Sequence, residues 1–168
     1  MIRGWLYGRI DVVRSLLSDE RVYPSARDNC VIRDAACKGQ VDVVRVLLSD
    51  ERVDPSARDN EAIRYASRMG HTDVVGMLLS DVCVDPSARD NEAIRDASRK
   101  GHVDIVRLLL SDEYVDPGVN HNEAIRLAAW GGHTDVVGML LSDPRVDPSA
   151  RGNEAIREAA WNGYASIV

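Results

Sequence analysis

One interval governs this chain. Asn29, Asn60, Asn91, Asn122 and Asn153 lie 31 residues apart, and so do Gly8, Gly39, Gly70, Gly101, Gly132 and Gly163. The phrase NEAIR recurs at 60–64, 91–95, 122–126 and 153–157. DVV recurs at 11–13, 42–44, 73–75 and 135–137, with DIV at 104–106. A period of this size marks stacked supersecondary units, each too small to bury an apolar face alone.

The unit at 60–90 shows the logic. Asn60 is placed to cap a helix, and Glu61 puts a negative charge in the first turn, where the helix dipole favours it. At roughly 100° per residue, Ala62, Ile63, Ala66 and Ser67 share one side, while Glu61, Tyr65, Arg68 and Met69 share the other. Gly70 ends that helix. A second begins near Asp73 with an apolar stripe of Val74, Val75, Leu78 and Leu79. SDVCVDPSARD at 80–90 is rich in turn formers, and Pro86 lacks a backbone donor. Each unit therefore reads as two short helices and a loop, and stacking must supply what its few large aliphatic side chains cannot. The chain is expected to be one all-α solenoid domain over 1–168. Its repeats fall at 29–59, 60–90, 91–121 and 122–152, with partial units at 1–28 and 153–168.

Residues 127–141, LAAWGGHTDVVGMLL, carry a family resemblance. They are similar to the ankyrin-repeat pattern of two alanines, two variable residues, Gly-His, a Val pair and a Leu run. The resemblance extends over the whole chain as six registers, the first and last incomplete. There are departures. The family's Thr-Pro-Leu-His opening is Glu-Ala-Ile-Arg at 61–64, and the period is 31 residues rather than roughly 33. The family's turn glycine is replaced by Asp28, Asp59, Asp90 and His121. All three changes predict short loops with little or no strand. Met1 aligns with Ile32 and Val168 with Val44, inside helices, so both ends read as uncapped.

Composition narrows the function. The net charge of −6 disfavours general binding to nucleic acid or an anionic membrane surface. The N-terminal MIRGWLYGRIDVV is interrupted by Arg3, Arg9 and Asp11, unlike a signal peptide, and no apolar run is long enough to span a bilayer. Cys30, Cys37 and Cys83 form neither a disulfide framework nor a zinc motif, which fits a cytoplasmic address. No nucleophile elbow, zinc-protease helix, phosphate loop or dinucleotide loop appears, so no catalytic residue, cofactor or metal is expected, and the chain does not read as an enzyme.

Three ladders tempt a chemical reading. His71, His102 and His133 stand one per unit. Stacked helices lie roughly 8–10 Å apart while zinc holds nitrogen at about 2 Å, so they cannot converge on one ion and are read as making local junction bonds. The acids at 11, 42, 73, 104 and 135 belong to first turns of second helices, and those at 19, 50, 81, 112 and 143 to the turn beyond; neither has calcium-loop spacing. Arg33, Arg64, Arg95, Arg126 and Arg157 occupy the family's histidine position and are read as internal ion pairs or contacts to loop carbonyls rather than a phosphate stripe.

The positions that vary within this fixed frame carry the functional expectation. In ankyrin stacks the outer side of helix one lines a concave groove where protein partners bind. Here it carries Tyr65, Arg68 and Met69, then Asp96, Arg99 and Lys100, then Leu127 and Trp130, then Glu158 and Trp161, with Asp34, Cys37 and Lys38 before them. Trp130 and Trp161 share one register in adjacent units, and Arg68 and Arg99 hold it in the two units before. Trp, Tyr and Arg are enriched at binding hot spots. The chain is thus expected to be a non-enzymatic module binding a protein on its concave face. A loop tip of its own stands at 118–121, GVNH, where other units have SARD or SARG. Two alternatives stand: a spacer or self-associating solenoid acting through its terminal repeats, and an engineered repeat scaffold. Gly4 and Trp5, in place of small buried residues, and the scattered cysteines count against the latter.

Overall fold

A computed structural model describes residues 3–165, with side chains from residue 10 onward; the expectations placed on Met1, Gly4, Trp5 and Val168 lie outside what is described. Ten helices and no strand occur among the described residues. After α1 (Arg3–Leu17) come four pairs of a longer and a shorter helix: α2 (Ala26–Cys37) with α3 (Val41–Leu48), α4 (Ala57–Met69) with α5 (Thr72–Leu79), α6 (Ala88–Lys100) with α7 (Val103–Leu110), and α8 (Val119–Trp130) with α9 (Thr134–Leu141). The last is α10 (Ala150–Trp161). The first register differs from expectation. α1 runs through Gly8, where a turn was expected.

The core is a single column. Ile32, Ile63, Ile94 and Ile125 of the longer helices and Leu47, Leu78, Leu109 and Leu140 of the shorter ones are fully buried in it, with alanines between. Those alanines let the longer helices of neighbouring pairs pack closely, whereas the shorter helices, with bulkier Val and Leu contacts, touch their neighbours less. The stack therefore closes up on the side of α2, α4, α6, α8 and α10, which becomes its inner face.

The entry to each longer helix is where sequence reading falls short. Asn60 does not cap α4 with its side chain. Arg58, Asp59 and Asn60 all lie in the left-handed region, with φ of 56°, 57° and 58°, and the same triplet recurs at 27–29, 89–91, 120–122 and 151–153. Each non-glycine residue held there costs roughly 1–2 kcal/mol, so the turn must be held from outside. The Arg64 guanidinium does this. Its Nε donates to the Asp59 carbonyl at 2.8 Å, one terminal nitrogen to the Arg58 carbonyl at 3.1 Å, and the other to Glu92 of the next unit at 2.7 Å. Arg95 and Arg126 repeat this with Glu123 and Glu154, and Arg33 pairs with Glu61. The arginine ladder is thus structural, and both parts of that reading hold for these four. The buried Asn60 turns its side-chain oxygen away from its own helix, accepting the backbone N–H of Asp85 at 2.8 Å.

Asp and Asn tolerate this conformation better than other side chains, and glycine better still. Gly152 already holds the middle position of the last turn at φ 67°. Replacing exposed Asp90 (φ 57°) by glycine should raise stability by about 1 kcal/mol, read from urea unfolding. A lower stability would show that the aspartate side chain itself holds the turn.

Past the shorter helices, Asp50 accepts the backbone N–H of Arg52 at 3.0 Å and its guanidinium at 2.6 Å. The side-chain bond from Arg52 holds the Asp50 carboxyl down at about 2. A carboxyl depressed in the folded state contributes stability above its unfolded value, near 3.9, and loses it as pH falls. The stability gap between wild type and Asp50→Asn should therefore shrink between pH 4 and pH 2, measured by urea unfolding at each pH. A gap independent of pH in that window would contradict the assignment.

Candidate functional site

Five longer helices side by side form the inner face, and the variable side chains stand on it. Arg68, Arg99 and Lys100 are exposed, Met69 and Trp130 are about half exposed (54% and 55%), and Trp161 is nearly free (89%). Tyr65, Asp96, Leu127 and Glu158 are half-buried. The face is set by the helical phase: Ala62, Ile63, Ala66 and Ser67 take the inward positions of α4 and are fully buried, so Tyr65, Arg68 and Met69 are left outward.

The histidines tie this face together across units. His71, His102 and His133 each reach back one unit, where Nε2–H donates to the carbonyls of Cys37, Arg68 and Arg99 at 3.0, 3.2 and 3.0 Å. These bonds are not local but cross between repeats. They pin the backbone of Arg68 and Arg99 while leaving both guanidinium groups free of it. Among the described residues no group of three or more His, Cys, Asp or Glu could hold a metal ion. The three cysteines are free thiols.

A pocket of about 420 Å³ opens toward the C-terminal end of the face, lined by Arg99, Arg126, Leu127, Trp130, Glu154 and Glu158. It brings together four of the ten candidate residues, from three successive units. Tyr65, Arg68, Met69, Asp96, Lys100 and Trp161 lie elsewhere on the face and do not line it. Trp161 shares the register of Trp130 on the adjacent helix but stands outside the pocket. Two wall residues were not among the candidates: Arg126 and Glu154, paired at 2.9 Å. Their signal was in the sequence, since a glutamate follows Arg33, Arg64, Arg95 and Arg126 by 28 residues. Leu127 and Trp130 supply its apolar lining, with Arg99 adding a basic group and Glu158 an acidic one. Such a pocket suits an apolar side chain flanked by polar groups.

Helix pairs stacked in one direction, with a buried column and a variable inner face, define a repeat solenoid. A family model of ankyrin repeats in three copies matches residues 32–123, more than half of the chain, and the protein belongs to the ankyrin-repeat family. Members of that family are generally protein–protein interaction modules and typically not enzymes. A search of curated proteins found no match. No helix of the described residues is long and apolar enough to cross a membrane.

Proposed function

We propose that residues 1–168 act as one repeat domain in the cytoplasm that captures a protein partner along the inner face of its longer helices. The partner presents an extended or helical segment. Its acidic residues lie opposite Arg68, Arg99 and Lys100, and its apolar residues opposite Leu127, Trp130 and Trp161. The observation that supports this reading most is the pocket at Leu127 and Trp130. There a large aromatic remains half exposed beside the Arg99 guanidinium, which pairs with no acid among the described residues, and His133 holds the Arg99 carbonyl. Aromatic and arginine anchors around an apolar lining are what hot spots are made of.

The test compares capture by wild type with capture by a variant carrying Arg68→Glu, Arg99→Glu, Trp130→Ala and Trp161→Ala. Quantitative mass spectrometry reads both, and circular dichroism checks that the helices are intact. A control, Arg45→Ala with Arg107→Ala, changes exposed positions on the shorter helices. A partner retained by wild type and control should fall at least about tenfold on the groove variant. Equal retention on all three would move the contact off this face.

A further inference from the structure

Where the shorter helices end, one small device recurs along the edge of the stack. Asp19, Asp50 and Asp143 each accept the backbone N–H two residues on and hold the guanidinium of that residue, Arg21, Arg52 or Arg145. Two of these arginines also reach back to the previous unit. Arg52 donates to the carbonyls of Leu17 and Val22 at 2.7 and 3.2 Å, and Arg145 to the carbonyl of Val115 at 2.6 Å. Arg52 thus joins a carboxylate to carbonyls of the preceding helix end and loop, and Arg145 joins one to the preceding loop.

The two central units lack it. Cys83 and Tyr114 stand at the arginine register. Asp81 and Asp112 keep the backbone bond, from Cys83 and Tyr114 at 2.9 Å, but no cation among the described residues pairs with either carboxylate. The matching carbonyls, Leu48 and Val53 for the first gap and Leu79 and Val84 for the second, receive no donor among the described residues. Around the gaps the surface is open: Val82 is fully exposed, Tyr114 is 70% exposed, Cys83 is exposed, and Glu113 stands exposed beside Tyr114. The outer units show, on the same scaffold, that the group fitting this arrangement is a guanidinium.

We propose that this central stretch of the loop edge docks an arginine-bearing segment of a partner protein. Each incoming guanidinium takes the place that Arg52 and Arg145 fill in their own units. The planar fork suits a carboxylate and a carbonyl together in a way a lysine ammonium does not. Val82 and Tyr114 cover the apolar stem, and the tyrosine ring offers a stacking face. Adjacent units stack roughly 10 Å apart, which is about one turn of a polyproline II segment, three residues at roughly 3.1 Å each. Such a segment returns side chains three residues apart to the same side, so arginines at that spacing serve both gaps. This surface lies apart from the inner face, and the two proposals stand independently.

The probe is a fluorescein-labelled, acetylated and amidated peptide, Gly-Ser-Arg-Leu-Ala-Arg-Ser-Gly, titrated with the full chain by fluorescence anisotropy. Saturable binding is expected. Filling the gaps in cis with Cys83→Arg and Tyr114→Arg should weaken it at least about tenfold while leaving the melting temperature no lower than wild type. Asp81→Asn with Asp112→Asn, which leaves packing intact, should weaken it comparably even if the filled variant fails to fold. The peptide with both arginines changed to lysine should bind at least about threefold more weakly. Absence of saturable binding up to on the order of 1 mM overturns the proposal. So does equal binding to wild type and the Asn variant. Equal binding of the lysine peptide would reduce the effect to attraction by an acidic chain, and that also overturns it.

Discussion

Arg64→Ala should destabilise the protein by about 3 kcal/mol, the loss expected when one partner of a buried, hydrogen-bonded charge pair is removed. The Arg64 side chain is only 4% exposed. Its deletion strands Glu92 and leaves the carbonyls of Asp59 and Arg58 without their donor in a turn of three left-handed residues. Arg64→Lys should recover less than half of the loss, because one ammonium cannot reach three acceptors in a fixed plane. Arg157→Ala serves as the contrast, since Arg157 is exposed and its loss should cost less than about 0.5 kcal/mol. Urea unfolding of the three variants measures all of this. A cost below about 1 kcal/mol at Arg64 would mean that the turn holds itself.

The second large effect lies at the junction between the two helices of a unit. Gly101 has φ 73°, and a Cβ built on it would lie 2.5 Å from Nδ1 of His133. The residue meets two demands at once, a left-handed backbone and the close approach of the next unit's ring. Gly152 meets only the first: its φ is 67° and a Cβ there would touch nothing within 4 Å. Gly152→Ala should therefore cost roughly 1–2 kcal/mol, the backbone term alone. Gly101→Ala should cost roughly 2–5 kcal/mol, because the ring must also move. Thermal or urea unfolding of the pair separates the two terms. Equal losses would show that the ring yields freely and that its bond to the Arg99 carbonyl contributes little.

The helices and the buried column were legible because they follow from periodicity. Ile63, Ala66, Val74 and Leu78 recur at fixed helical phase, and each is fully buried. The absence of strand among the described residues followed from the shortened loop. What escaped was the direction in which polar side chains point. Asn60 has the composition of a helix cap, and the sequence contains nothing to say that its oxygen faces a loop 25 residues on. The histidines likewise suggested local bonds, since reaching Cys37, Arg68 and Arg99 depends on how closely units stack. Of the inner face, the exposed register was readable from helical phase. The pocket was not, because its walls come from three units and one of them, Glu154, carries a structural partner. Gly8 misled through the period itself, which marks position but not the contact that makes a turn there.

The ties between units share a direction with a consequence for synthesis. Glu92 locks Arg64, His102 fastens the end of the helix carrying Arg68, and Arg145 reaches the Val115 carbonyl: in each case a later residue secures an earlier unit. A unit leaving the ribosome therefore has its apolar face uncovered and its strained entry turn still open, until the following one arrives to close both. Vectorial emergence matches the order in which the fasteners become available, so the chain can be sealed from its beginning onward without waiting for its end.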